Sequence, residues 1–147
     1  MIWHAPAGRF FAFQTQCNPN QDATCHRTAW WLGRDLNVVE TLLLPAEDLL
    51  YQPEKLACFS CGCGCYTQEN IYAVNGKIYV HASGFPLSYQ RRGLYEVVQA
   101  DNGTSTWRHV IRGRIEPPLA FSPSGCNVAF FKVSYFGDAL QTQSLCN

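Results

Sequence analysis

The chain writes one short unit three times, and that repetition narrows the folds open to it. His4-Ala5-Pro6-Ala7-Gly8 precedes the apolar run Arg9-Phe10-Phe11-Ala12-Phe13. Tyr72-Ala73-Val74-Asn75-Gly76 precedes Lys77-Ile78-Tyr79-Val80-His81, and Phe121-Ser122-Pro123-Ser124-Gly125 precedes Cys126-Asn127-Val128-Ala129-Phe130. Each copy reads as a short strand, a Pro or Asn turn closed by Gly, and a strand rich in β-branched and aromatic residues. The closing Gly supplies the positive φ that so tight a turn demands.

The unit extends past its hairpin. Further strands are expected at 28–32 and 38–44 in the first copy, and at 94–98 and 107–111 in the second. The last two of these are joined by Asp101-Asn102-Gly103, a strong hairpin signal. The third copy adds only 139–145, so the units hold four, four and three strands. They occupy about 2–44, 69–113 and 117–146 of a single domain, 1–147. Gly8, Gly76 and Gly125 are spaced by 68 and 49 residues, and four strands every 40–50 residues or so is the period of propeller blades. The longer first interval carries an insertion, 45–68, with a short helix candidate at 46–51 and a cluster of cysteines. The expected fold is all-β: three antiparallel blade-like sheets forming a partial β-propeller, with one Cys-rich insertion. A β-sandwich whose turns happen to coincide is the other architecture the pattern allows.

Phe121-Ser122-Pro123-Ser124-Gly125 with its following apolar strand resembles the strand-turn signature of TolB-like and WD40-like propeller repeats. Ala5-Pro6-Ala7-Gly8-Arg9 is similar, and the second unit shares only the Gly. The Asp usual before that Gly is replaced by Ala7, Asn75 and Ser124. The resemblance implies blades, and closed propellers hold about 4–8 of them. Three would form an open arc whose end sheets lack neighbours. Two chains could then join in a six-bladed ring, or one arc could act alone and grip another protein through its loops.

Composition excludes several classes. With 47% hydrophobic residues and 15% charged, the chain of 147 residues can fill a core and is not of disordered type. Eleven bases balance eleven acids, which leaves no overall field to hold nucleic acid or an anionic membrane. No apolar run approaches the roughly 20 residues of a helical membrane span. The zero hides a segregation: 35–70 carries six acids against Lys55, whereas 81–115 carries five arginines against Glu96 and Asp101. Arg outnumbers Lys eight to three, and its planar fork suits protein interfaces. Ordinary surface variation produces the same numbers if the segments mix in space.

Eight cysteines, an even count, point to an oxidising compartment or to metal-holding thiolates. The opening Met1-Ile2-Trp3-His4 lacks the basic and apolar regions of a secretory leader. The reading adopted is a mature periplasmic or secreted chain with Met1 as an added start. Cys17 and Cys25 flank the loop 18–24 and are expected to pair. Cys126 and Cys146 are equidistant from Phe136, beside the turn Gly137-Asp138, and are expected to face each other across a hairpin. Cys58, Cys61, Cys63 and Cys65 fall within eight residues. Two local disulfides fit this cluster, Cys58 with Cys63 and Cys61 with Cys65, or Cys58 with Cys65 around a distorted inner bridge. Four thiolates on Zn²⁺ or Cu(I) form the rival reading. No metal and no cofactor is assigned.

Catalytic templates are missing: no G-x-S-x-G elbow, no H-E-x-x-H, no phosphate-binding glycine loop. His4, His26, His81 and His109 lie on separate strand candidates, although His81 and His109 share the middle unit and could approach each other. Glu47, Asp48 and Glu54 read as the solvated face of a short helix. Asn102-Gly103-Thr104 fits a glycosylation acceptor, but the same residues already explain a turn. The expectation is a protein that is not an enzyme.

One loop collects the features of a binding site. Between the second and third strands of the middle unit run Ser83, Gly84, Phe85, Pro86, Leu87, Ser88, Tyr89, Gln90, Arg91 and Arg92. Gly hinge, Pro, aromatics, hydroxyls and a double Arg match the composition of interface hot spots. Phe85 and Leu87 folded back onto the core would be the plainer outcome. The corresponding loop of the last unit offers Tyr135 and Phe136. The expected function is an exported binding protein, in outline similar to periplasmic immunity proteins of type VI secretion amidase effectors, which would block a cell-wall hydrolase with a loop. Its partner would be a protein, gripped through this loop end, with a homodimer as a further option.

Overall fold

The structure is a computed structural model that describes residues 1–17, 25–43, 70–82, 92–100 and 102–146. The insertion 45–68, its helix candidate at 46–51 and the loop residues 83–91 lie outside the described residues.

Eleven strands make three antiparallel sheets. The first sheet joins β1 (Ile2–His4), β2 (Arg9–Cys17), β3 (Cys25–Leu32) and β4 (Val38–Leu43) in sequence order. The second joins β5 (Asn70–Val74), β6 (Lys77–Ala82), β7 (Gly93–Gln99) and β8 (Ser105–Arg112) in the same way. The third has three strands among the described residues: β9 (Ile115–Phe121), β10 (Asn127–Ser134) and β11 (Gly137–Ser144). The four-four-three arrangement is the one the repeat predicts. Closure of a propeller ring is not shown. The described residues hold no α-helix, only a 3₁₀ turn at Ala5–Ala7.

Local chemistry sets the hairpins. Asn75 and Gly76 have φ of 48° and 75° between the paired Val74 and Lys77. Two consecutive positive φ values match the right-handed twist of the strands they join. The expected Asn102-Gly103 turn is also present. Gly103 donates to the Ala100 carbonyl at 2.9 Å, and the Asn102 side chain accepts from the Thr104 amide at 3.0 Å. In β9 the ladder slips where Pro117 and Pro118 stand, since Ala129 pairs with Ala120 but Phe131 pairs with Glu116. Proline cannot donate to a ladder, and β9 tolerates the pair because it is an edge strand.

The register corrects the alignment made on glycines. The second strands of the units begin at Arg9, Lys77 and Asn127, so the third copy is displaced by one residue relative to Gly125. With this correction the units stack in one sense. Phe11 and Phe13, the third and fifth residues of β2, pack against the middle sheet. Tyr79, third in β6, packs against Phe121 of the third sheet, and His81, fifth in β6, donates from Nε2 to the Ile115 carbonyl at 3.1 Å. The second and fourth residues look the other way: Ile78 and Val80 join the first sheet's core, Val128 and Phe130 the middle sheet's.

Two cores result, one on each side of the middle sheet. Phe11, Ala29, Trp31, Leu42, Ile78, Val80 and Val97 fill the first. Tyr79, Leu94, Ile111, Ile115, Leu119, Val128, Phe130 and Leu145 fill the second. β6 is buried from Ile78 to Ala82 on both faces because each face meets another sheet. Polar bonds fix the stack. Trp31 Nε1–H donates to Ser105 Oγ at 2.9 Å, and the Ser105 amide donates to Glu40 at 2.8 Å. At one end the three first hairpin turns lie in a row. His4 Nε2–H donates to the Gly76 carbonyl at 2.8 Å, and Asn75 Nδ2 donates to the Ser124 carbonyl at 2.9 Å.

The disulfide between Cys126 and Cys146 is present, with Cα atoms 4.8 Å apart. Its register differs from the expected one by a residue. Ser134 pairs with Gly137, so Tyr135-Phe136 is the turn and Gly137 opens β11 with φ of 116°. Cys126 therefore stands opposite Leu145, whose amide donates to the Cys126 carbonyl at 2.7 Å. The bridge reaches across by one place, just beyond the ladder. Cys17 and Cys25 are opposite each other in the backbone register of β2 and β3, and their side chains lie outside the described residues. Cys58, Cys61, Cys63 and Cys65 lie outside the described residues.

Candidate binding end

Because the first hairpin turns share one end, the connections from second to third strands emerge at the other. There, one backbone bond closes the β7–β8 ladder of the middle sheet and another closes the β9–β10 ladder of the third, on either side of the Gly113-Arg114 link. The Arg92 carbonyl accepts from the Gly113 amide at 2.9 Å, and the Arg114 carbonyl accepts from the Val133 amide at 3.0 Å. Arg92 closes the long β6–β7 connection, and Val133 leads into the tip of the β10–β11 hairpin. Two stretches about forty positions apart in sequence thus leave ladders that are joined through Gly113-Arg114.

The hairpin tip is the more exposed of the two. Tyr135 and Phe136 are 97% and 96% exposed, with ring centroids 5.5 Å apart and planes near perpendicular. A side chain of this kind normally hides apolar surface, so a pair left fully in water makes this tip the candidate contact site. The tip is held from below: Ser134 Oγ donates to the Gly137 carbonyl at 2.8 Å, and the far end of the hairpin carries the disulfide. Of the residues assigned to binding, Tyr135 and Phe136 adjoin each other at this end, and Arg92 stands at the same end of the neighbouring sheet. Ser83, Gly84, Phe85, Pro86, Ser88, Tyr89 and Arg91 lie outside the described residues.

Gly93 fixes where the long connection ends and β7 begins. Its φ is 130°, and a Cβ there would overlap the Ile111 carbonyl oxygen. Beside it His109 stacks flat on Tyr95 at 4.1 Å and donates from Nε2 to the Arg92 carbonyl at 3.0 Å. The sequence alone suggested that His81 and His109 could meet, and the structure corrects this. His81 pairs with Leu94 and His109 with Tyr95, so the two rings occupy opposite faces of the sheet. A bulge between Leu94 and Tyr95 sets that arrangement. Burial pushes the His81 imidazole below its ordinary pKa, against the opposing effects of the Ile115 bond and the nearby Glu116.

Charges counted as a segregated field are partly used inside the fold. Arg108 holds the buried Glu96 through its guanidinium, with Nε donating at 3.0 Å, and Lys77 approaches the same carboxylate at 3.4 Å. Arg114 pairs with Glu116 at 3.1 Å. Glu40, from the acidic segment, is committed to Ser105. Glu96 had no signal in the sequence, where its place in Leu94-Tyr95-Glu96-Val97 resembles an outward strand position. Among the described residues no three His, Cys, Asp or Glu side chains converge as a metal-ligand set, and no helix among them is long and apolar enough to cross a membrane. No protein-family model matches the chain, and neither the curated proteins nor the solved structures contain a match to it.

Proposed function

We propose that the protein is a non-enzymatic binding protein of an oxidising compartment, the bacterial periplasm or the exterior, which blocks a partner enzyme by seating this end in its cleft. The observation that carries the reading is the Tyr135-Phe136 tip. Two adjacent aromatic rings stand in water on a two-residue turn whose hairpin is stapled at its base. Aromatic side chains bring large contact area at low entropic cost, and they dominate interface hot spots. A pre-ordered hairpin reduces the ordering cost of binding. The disulfide between Cys126 and Cys146 agrees with an oxidising location.

By sequence, the connection between β6 and β7 supplies further aromatic and guanidinium groups in Phe85, Tyr89, Arg91 and Arg92. The resemblance to immunity proteins of secreted amidases makes a cell-wall hydrolase the partner of choice, and blockade would be steric, with the loops covering the catalytic cleft. A cell-wall hydrolase encoded beside this protein's gene is the reagent for the test. The purified protein should inhibit it at about one-to-one stoichiometry. Replacing Tyr135 and Phe136 together by Ala should weaken inhibition at least about 30-fold, the equivalent of about 2 kcal/mol for an anchor pair. Full inhibition by the double variant would remove the tip from the site. Absence of inhibition by the intact protein would defeat the reading.

A further inference from the structure

The two outer sheets carry faces that the repeat builds as sheet-packing faces but that meet no sheet among the described residues. Third and fifth positions of the second strand pack on the following sheet in units one and two; in unit three they are the half-buried Ala129 and the exposed Phe131, on the face opposite Val128 and Phe130. Phe131 is 44% exposed, and its cross-strand neighbour Leu140 is 65% exposed. Second and fourth positions pack on the preceding sheet in units two and three; in unit one they are Phe10 and Ala12, which have no preceding sheet. Trp3 lies edge-on against Phe10 at 4.8 Å on this outer side, and Val38 stands on the same face through its pairing with Leu32.

Exposed apolar residues mark where the molecule is unfinished. Among the described residues, every large hydrophobic side chain left exposed belongs to the first or third sheet or its connections, and none to the middle sheet. The middle sheet shows what these positions do when a neighbour is present: β6 is buried on both faces. The two unfinished faces are also of opposite kind. One is a following face without a follower, and the other a preceding face without a predecessor.

We propose that these faces close on a second copy of the chain, the outer face of the first sheet in each protomer packing on the outer face of the third sheet in the other. A twofold axis brings both pairs together at once, because each protomer offers what the other lacks. Twice three sheets gives six, within the range of closed propellers. A single strand or a small partner would cover one face and leave the other in water, whereas a second copy satisfies both. The binding end stays on one rim of the ring, so the proposal does not rest on the proposed function.

Light scattering of the intact, oxidised protein across a thousandfold concentration range reads the claim directly. The expected result is twice the mass of one chain, dissociating on dilution. Leu140→Arg on the third sheet and Val38→Arg on the first should each weaken the dimer at least 100-fold, although they lie on different sheets. Both positions are exposed, and an unchanged circular dichroism spectrum with cooperative unfolding will show that each variant folds. A photo-cross-linker at position 38, in a mixture of isotopically light and heavy chains, should join light chain to heavy chain within 127–144. A single-chain mass at every concentration overturns the proposal. So does a dimer indifferent to both variants, or cross-links confined to light–light pairs within one chain.

Discussion

The middle and third sheets follow the same hairpin plan and end in opposite conditions. β6 and β7 are closed in on both faces, and even the carboxylate of Glu96 is held there by Arg108 and Lys77. β11 is exposed along almost its whole length, with one edge unpaired among the described strands. A short tip and a disulfide hold it in place where a fourth strand holds its counterparts. The difference teaches how the work is divided: the middle sheet supplies rigidity by burial, and the third supplies surface. An open strand edge and exposed rings are costs that natural proteins keep where contact is needed.

The contrast can be broken most forcefully through the cores. Leu94→Ala removes a fully buried side chain of the middle sheet and should cost about 2–5 kcal/mol in chemical denaturation. Leu140→Ala, on the exposed strand, should cost under about 0.5 kcal/mol. Equal losses would show that the third sheet's surface is not free in the isolated chain. Next in size comes the staple. Cys146→Ala opens a loop of 20 residues and should cost about 3 kcal/mol or less, with proteolysis appearing first in β11.

A smaller effect follows pH. His81 is held neutral in the fold below its ordinary pKa, so the unfolded chain takes up the proton first as pH falls. Its contribution is present above about pH 6.5 and is lost as pH drops through the unfolded value towards the folded one. Stability at pH 5 should therefore be lower than at pH 7.5, and His81→Gln should flatten that dependence. The smallest change is expected at Tyr79, whose buried hydroxyl has no partner among the described residues. Burial and the neighbouring Glu96 charge both push that phenol's pKa up, with Arg108 opposing. Tyr79→Phe should leave stability unchanged or raise it by about 1 kcal/mol, as removal of an unsatisfied group does.

Much of this was legible in the sequence because hairpins are local. Asn75-Gly76 and Asn102-Gly103 specify turns by the φ values they tolerate, and alternating apolar runs then place the strands. The pairing of Cys126 with Cys146 was legible for the same reason, though not its offset. Gly137 takes the positive φ after the turn instead of within it, which moves the ladder by one residue. The slip at Pro117-Pro118 and the bulge at Leu94 and Tyr95 were hidden because they depend on the partner strand. The bonds between sheets, such as His4 to Gly76 and Trp31 to Ser105, span about seventy positions and carry no local pattern. The binding end was half legible. Its aromatic and Arg content is in the sequence, but the ladder ends at Arg92 and Val133 are set by their partners Gly113 and Arg114.

Hydrogen exchange measured with and without the hydrolase tests the division of labour most directly. The account predicts that added protection falls on 83–93 and 133–138, at the end where the hairpin tip stands, while the already slow amides of β6 and β7 do not change. Protection gained instead along the row of first turns, at 5–8, 75–76 and 122–126, would contradict it.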